Sequence, residues 1–148
     1  MESVEEGRIV FVKLADGEDV FAGLEAAARK HRVDSGAIHW AIGMLKDFEI
    51  GFFAPGGYER STYPDRHELL GFHGSISMRA EPKFHIHVTV AGRDHAAVGG
   101  HLFRGKACVV NEICLERFDT IRFTRRLSEE TGLRELTIEG AHPAQDHQ

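Results

Sequence analysis

Apolar positions along the chain repeat with two different periods, and the changeover between them divides the sequence. Arg8 to Leu14 (RIVFVKL) is rich in β-branched and aromatic residues and stops at Asp16-Gly17, which predicts a strand closed by a turn. From Val20 the spacing is helical, with Val20, Leu24, Ala27, Ala28 and His31 on one face. Asp16 or Gly17 can cap that helix. Glu18 and Asp19 suit its positive end, and Arg29-Lys30-His31-Arg32 suits its negative end. Beyond Ser35-Gly36 the period falls to two. Ala37–Ile42, Lys46–Phe53, Tyr58–Tyr63 and Glu68–Met78 read as successive strands, the second and third joined through Pro55-Gly56-Gly57. Phe84–Ala91, entered from the turn Glu81-Pro82-Lys83, alternates most cleanly of all. Gly92–Gly105 holds four of the sixteen glycines and predicts a loop with tight local structure. Ala107–Phe118, Thr120–Arg126 and Leu133–Ile138 return to strand.

A single strand, one principal helix and then a run of strands predict an α+β fold whose mixed, mainly antiparallel sheet is flanked by that helix. At 148 residues the chain has the length of one domain. That domain is expected over 8–138, after an N-terminal extension (1–7) and before a flexible tail (139–148).

Composition adds exclusions. With 42% hydrophobic and 28% charged residues the chain is neither disordered nor fibrous. Lys and Arg number 18 against 23 Asp and Glu, a net charge of −5, so there is no global attraction to nucleic acid or to an anionic membrane. No stretch approaches the roughly 18 apolar residues that cross a bilayer, and the acidic start has no leader-like apolar core. Cys108 and Cys114 lack a CxxC partner and sit in an apolar run, as reduced core cysteines do. A cytoplasmic protein is expected.

The unusual component is histidine, at ten residues. In Phe84-His85-Ile86-His87-Val88-Thr89-Val90 the even positions are apolar, so His85 and His87 leave the strand on the same side. Side chains two residues apart on a strand start about 6.6 Å apart. Two imidazoles can close that gap on one metal ion, each nitrogen about 2.0–2.1 Å from zinc. Gly99-Gly100-His101 offers a third ligand, because paired glycines permit unusual backbone conformations and close approach. Three histidines would leave coordination positions open for water or substrate, as in catalytic zinc sites. The plainer alternative is a solvent-exposed His-x-His pair. His73 can line the same pocket or pack in the core; His95 belongs to a polar turn, His31 to a helix end, and His142 and His147 to the tail.

Two carboxylates interrupt apolar strands, Glu68 before Leu69-Leu70 and Glu112 between Val109-Val110 and Ile113-Cys114-Leu115. Either can orient a histidine or act as an acid/base, or simply face solvent. Dinucleotide fingerprints, P-loops, nucleophile elbows and His-Glu-x-x-His elements are absent. Arg117, Arg122, Arg125 and Arg126 are interspersed with Glu112, Glu116, Asp119, Glu129 and Glu130, which reads as a solvated mixed surface.

The order of these elements resembles the PPC domain, the plant and prokaryote conserved domain. The resemblance runs from about Arg8 to Leu136 and rests on Asp16-Gly17-Glu18-Asp19-Val20, Ala41-Ile42-Gly43, Glu68 to Ile76 (ELLGFHGSI), Phe84-His85-Ile86-His87, Val98-Gly99-Gly100-His101-Leu102 and Asn111-Glu112-Ile113-Cys114-Leu115. It implies a homotrimer assembled through sheet edges and apolar faces, with a site near the subunit boundaries. It also implies a metal, generally zinc, on His85, His87 and His101. The implied fold is similar to that of acetolactate decarboxylase, though shared fold does not carry function. A zinc-dependent hydrolase or decarboxylase acting on a small molecule, a metal-dependent sensor of a small-molecule ligand, and a non-catalytic regulatory or DNA-binding module are the readings it opens. Plant members join this domain to a basic Arg-Gly-Arg segment; here that segment is missing and the chain is acidic, which counts against direct DNA binding.

Overall fold

The computed structural model describes residues 1–140. In chain order it contains β1 (Glu2–Glu6), β2 (Ile9–Ala15), α1 (Val20–Lys30), β3 (Ser35–Ala54), β4 (Gly57–Tyr63), β5 (His67–Ser77), β6 (Phe84–Ala91), β7 (Ala97–Arg117), β8 (Arg122–Leu127) and β9 (Arg134–Glu139). The first seven strands form one sheet in the order β1-β2-β7-β6-β5-β3-β4, and β8 and β9 form a separate hairpin. Where a mixed sheet was expected, every pairing between these named strands is antiparallel. Because β3 and β7 also pair with each other, β7, β6, β5 and β3 close into a ring.

Alternation in β2 buries Val10, Val12 and Leu14 completely and turns Ile9, Phe11 and Lys13 outward. Helix α1 covers the buried face with Val20, Leu24, Ala27 and Ala28. Each such side chain contributes on the order of 1.5–3 kcal/mol for the larger residues. Gly23 sets the separation, since a Cβ there would lie 2.5 Å from Leu14 Cδ2. The cap is Asp19 rather than Asp16 or Gly17: the Asp19 carboxylate accepts from the Ala22 N–H at 2.8 Å. Asp16 instead accepts from the Val109 N–H, also at 2.8 Å, and fastens the turn to β7.

The acidic start, expected as an extension, forms the edge strand β1. Its anchor is the nearly buried His31, with Nδ1 3.0 Å from Glu5 Oε1 and Nε2 2.8 Å from Ser3 Oγ. The two short strands expected over 37–53 are one continuous β3. Gly43 (φ +133°), in the gap between those two, and Asp47 (φ +48°), inside the second, are bends where the register with β7 shifts. A side chain at Gly43 would collide with the Val110 carbonyl. Likewise, much of the loop expected over 92–105 is the first half of β7. Residue Glu139, assigned to the tail, ends β9; 141–148 lie outside the described residues. No helix among the described residues is long and apolar enough to cross a membrane.

Candidate metal centre

Strand β6 carries the phase that its sequence predicts. Phe84, Ile86, Val88 and Val90 are buried, while His85 and His87 leave from the opposite face. Antiparallel register then sets His101 of β7 directly opposite His87. The three imidazoles converge so that one nitrogen from each lies within 4.8 Å of the others. His85 Nε2 and His87 Nε2 are only 3.2 Å apart.

These residues fit a divalent ion. Nitrogens held about 2.1 Å from a tetrahedral centre are separated by about 3.4 Å, so small side-chain rotations bring all three into place. A second observation is independent of that spacing: His101 Nδ1 is buried and has no hydrogen-bond partner among the described residues. An orphaned ring nitrogen is costly unless something binds it.

The glycines before His101 act differently from the sequence expectation. Neither adopts a positive φ. They allow backbones to close in instead, because a Cβ at Gly99 would stand 2.5 Å from the Val88 carbonyl oxygen and one at Gly100 2.7 Å from that of Gly51. His101 is thereby pressed between β6 on one side and β3 on the other, where it pairs with Gly51.

Burial is the main cause holding all three histidines below the ordinary imidazole range. His101 is pushed down to about 4, first by desolvation and then by the neighbouring His85, His87, Arg60 and Arg125. Desolvation followed by His87 and Arg125 lowers His85, and desolvation followed by His73 lowers His87. At His101 the neutral form that metal binding requires therefore persists in mildly acid solution. For the metal-free protein the sign is fixed. Below the usual imidazole value of about 6.5 the unfolded chain takes up protons that the folded chain refuses, so stability falls as the pH drops from about 6.5 towards 4. Urea midpoints of the metal-free protein at pH 7.5, 6.0 and 5.0 should decrease in that order, with a shallower decline in His101→Gln. A midpoint that stays level or rises over this interval contradicts the expectation.

Within one chain neither expected carboxylate joins the three histidines. Glu68 is exposed, opposite Ala91 at the far end of β6, and lines a separate cavity of about 950 Å³ with His67 and Gly92. Glu112 is exposed on β7 between Lys13 and Ile42. His73 is brought near, opposite His87 with ring centroids 6.5 Å apart, and is exposed rather than packed in the core. His95 sits in an exposed turn with φ +67°.

Several neighbours were not singled out by sequence reasoning. Tyr58 of β4 lies 5.0 Å from the His101 ring and Phe103 of β7 lies 4.6 Å from it, centroid to centroid. The Arg60 guanidinium stacks 3.8 Å over Phe103 while donating to Glu49. Phe103 follows His101 by two residues and so shares its face, a signal that was available once the segment was known to be a strand.

The model of the Plants and Prokaryotes Conserved (PCC) domain matches residues 1–119. The chain belongs to this family. Likenesses to solved structures extend over nearly the whole chain. A metal-containing protein from Archaeoglobus fulgidus is 26% identical with a TM-score of 0.79, covering 90% of this chain and 95% of that one. A Bacteroides thetaiotaomicron protein, described as a candidate DNA-binding protein, superposes with a TM-score of 0.83 at 24% identity over 92% of this chain and 96% of its own; at that identity the likeness is one of fold. The bifunctional protein GlmU of Synechococcus sp. is 30% identical over 135 residues, 89% of this chain. This chain spans about a fifth (20%) of that relative's length.

Proposed function

We propose that this PCC-domain protein binds one zinc ion per chain through His85, His87 and His101, and that it acts on, or responds to, a small molecule as a homotrimer in the cytoplasm. The observation that carries this reading is the meeting of three imidazole nitrogens within 4.8 Å, one of them, on His101, in a ring whose Nδ1 is buried without a partner. An all-imidazole set suits zinc among the available divalent ions. The name of the Archaeoglobus fulgidus relative, a metal-containing protein, agrees with it. Zinc bound by three histidines supplies a Lewis acid and a lowered pKa for bound water. The protein's own contribution is to hold the rings neutral, to keep them oriented by β6–β7 register, and to wall the site with Tyr58 and Phe103.

Titration of metal-free protein with zinc should reach one equivalent per chain. Saturation far below one, or none, removes the reading. Because neither Glu68 nor Glu112 stands beside the cluster of its own chain, an acid/base role for either requires the site of another subunit.

Self-association is favoured by one exposed face. Cross-strand register aligns Val4, Phe11, Cys114 and Trp40 in a row, with Ile9 and Ile42 alongside. Phe11 and Trp40 meet edge to face at 5.8 Å, and Trp40 is still 42% exposed. A contiguous apolar patch of this kind marks an interaction surface. Light scattering of the wild type should give the mass of three chains, and Trp40→Glu, which places a charge at the centre of the row, should reduce it towards one with the circular dichroism unchanged. A monomeric wild type would contradict the trimer.

A further inference from the structure

Beyond the segment matched by the family model, hairpin β8–β9 is fastened to the rest of the fold through the backbone of Phe123. The buried Ser35 and Ser77 hydroxyls bracket the backbone of Phe123: its N–H donates to Ser35 Oγ at 2.8 Å, and its carbonyl accepts from Ser77 Oγ at 2.7 Å. Phe123 also packs edge-on against Phe118, with ring centroids 5.8 Å apart. Two residues on, and therefore on the same face of β8, comes Arg125.

Arg125 Nε donates to the Pro82 carbonyl at 2.8 Å. Its Nη2 is buried and has no partner among the described residues. Among the described residues no carboxylate pairs with this guanidinium, in contrast to Arg117, which is shared by Glu5 and Asp119. Burial lowers the pKa of Arg125, yet a guanidinium stays charged in a protein. Its charge is felt by His85 and His101, which offer no compensation. The three groups share a cavity of about 290 Å³ whose walls include Tyr58, Phe84, Phe103 and Leu133, with the exposed Arg134 as a second cation lining it.

We infer that this cavity is a binding site for a small molecule with one carboxylate and an apolar body, the carboxylate accepting from Arg125 Nη2 beside the three histidines. A half-buried cation with an idle donor out of reach of solvent calls for an anionic oxygen, and planar guanidinium and carboxylate groups match each other's geometry. The aromatic walls select against a compact, fully hydrated anion. At about 30 Å³ per water-sized group the space holds on the order of ten non-hydrogen atoms. The inference specifies the ligand class for the proposed zinc site, but the demand of Arg125 for an anion exists with or without the metal.

Benzoate, of suitable size, is the probe, with benzamide as its neutral counterpart and inorganic phosphate as the anion lacking an apolar body. Calorimetric titrations use the full chain in zinc-free and zinc-loaded forms. Benzoate should bind more tightly than either comparison compound. Arg125→Gln should weaken it at least tenfold while leaving the circular dichroism and zinc stoichiometry unchanged, and Arg125→Lys should recover part of the loss. The tenfold minimum corresponds to loss of one charge-assisted hydrogen bond. Equal benzoate affinity in wild type and Arg125→Gln, tighter binding of phosphate than benzoate, or no benzoate binding overturns the inference. Failure to take up zinc would overturn the proposed metal site instead, and the zinc-free titrations would still decide the role of Arg125.

Discussion

Replacing His87 or His101 by alanine should lower zinc affinity by more than the roughly 10–100-fold that loss of an outer hydrogen-bonding partner of a metal ligand costs. Either change leaves two imidazoles, and the ion must replace a fixed nitrogen by water. The fold should survive, because His87 is exposed and the register of β6 and β7 depends on their backbones and on the buried Ile86, Val88 and Leu102. Thr89→Ala, on the same face of β6 two residues further, should retain full zinc affinity. So should His73→Ala within about tenfold, because His73 faces His87 without belonging to the converging group. Competition with a chelating dye measures all four variants. Unchanged affinity in both His87→Ala and His101→Ala would move the metal elsewhere.

The largest effect on stability is expected from Gly74→Val. Gly74 of β5 pairs with Ile86, between the two histidines of β6, and a Cβ at this position would collide with the backbone carbonyl of His85. Backbone has no rotamer by which to yield. The strands must separate, and a loss of about 3 kcal/mol is expected, at the upper end for overpacking. For a domain of this size that lowers the thermal midpoint by roughly 6–12 °C. His85 would move with its carbonyl, so zinc affinity should fall as well. Gly71→Ala provides the contrast, since its nearest neighbour is the Thr89 side chain at 3.7 Å; a change within about 0.5 kcal/mol is expected there. Thermal denaturation of both variants distinguishes close packing from a general glycine requirement, which similar losses at 71 and 74 would indicate.

Local pattern carried the elements whose two faces differ. In β2, α1 and β6 the apolar phase is uninterrupted, and the pairing of His85 with His87 on one face follows from it. The long strands were harder to read because their defining residues are poor strand formers. Gly43 and Asp47 bend β3 without ending it, and Gly99, Gly100 and Gly105 sit in β7 where other groups approach closely. Glycine in a sequence does not say whether a turn, a bulge or a close approach requires it. Consequently His101 falls inside the segment that reads as a loop, and the register that brings it opposite His87 is not legible in the sequence.

Charged residues show the same limit. Glu112 breaks an apolar run, but it faces outward from a strand with one wet side, and nothing further is needed to accommodate it. Arg125 had looked like one arginine among several neutralised by neighbouring acids. Sequence proximity proved a poor guide to pairing: Arg117 finds its acids, whereas the alternation of β8 turns Arg125 inward to Pro82 and the histidines. Only the tertiary position of Phe123, fixed by Ser35 and Ser77, makes that direction meaningful.

The most direct measurement is an anomalous difference map from crystals of the zinc-saturated protein, with data collected on both sides of the zinc absorption edge. The expected result is one peak per chain, about 2.0–2.1 Å from a ring nitrogen of each of His85, His87 and His101. Full-occupancy zinc on other side chains, or no peak among these three rings, would contradict the proposed metal centre.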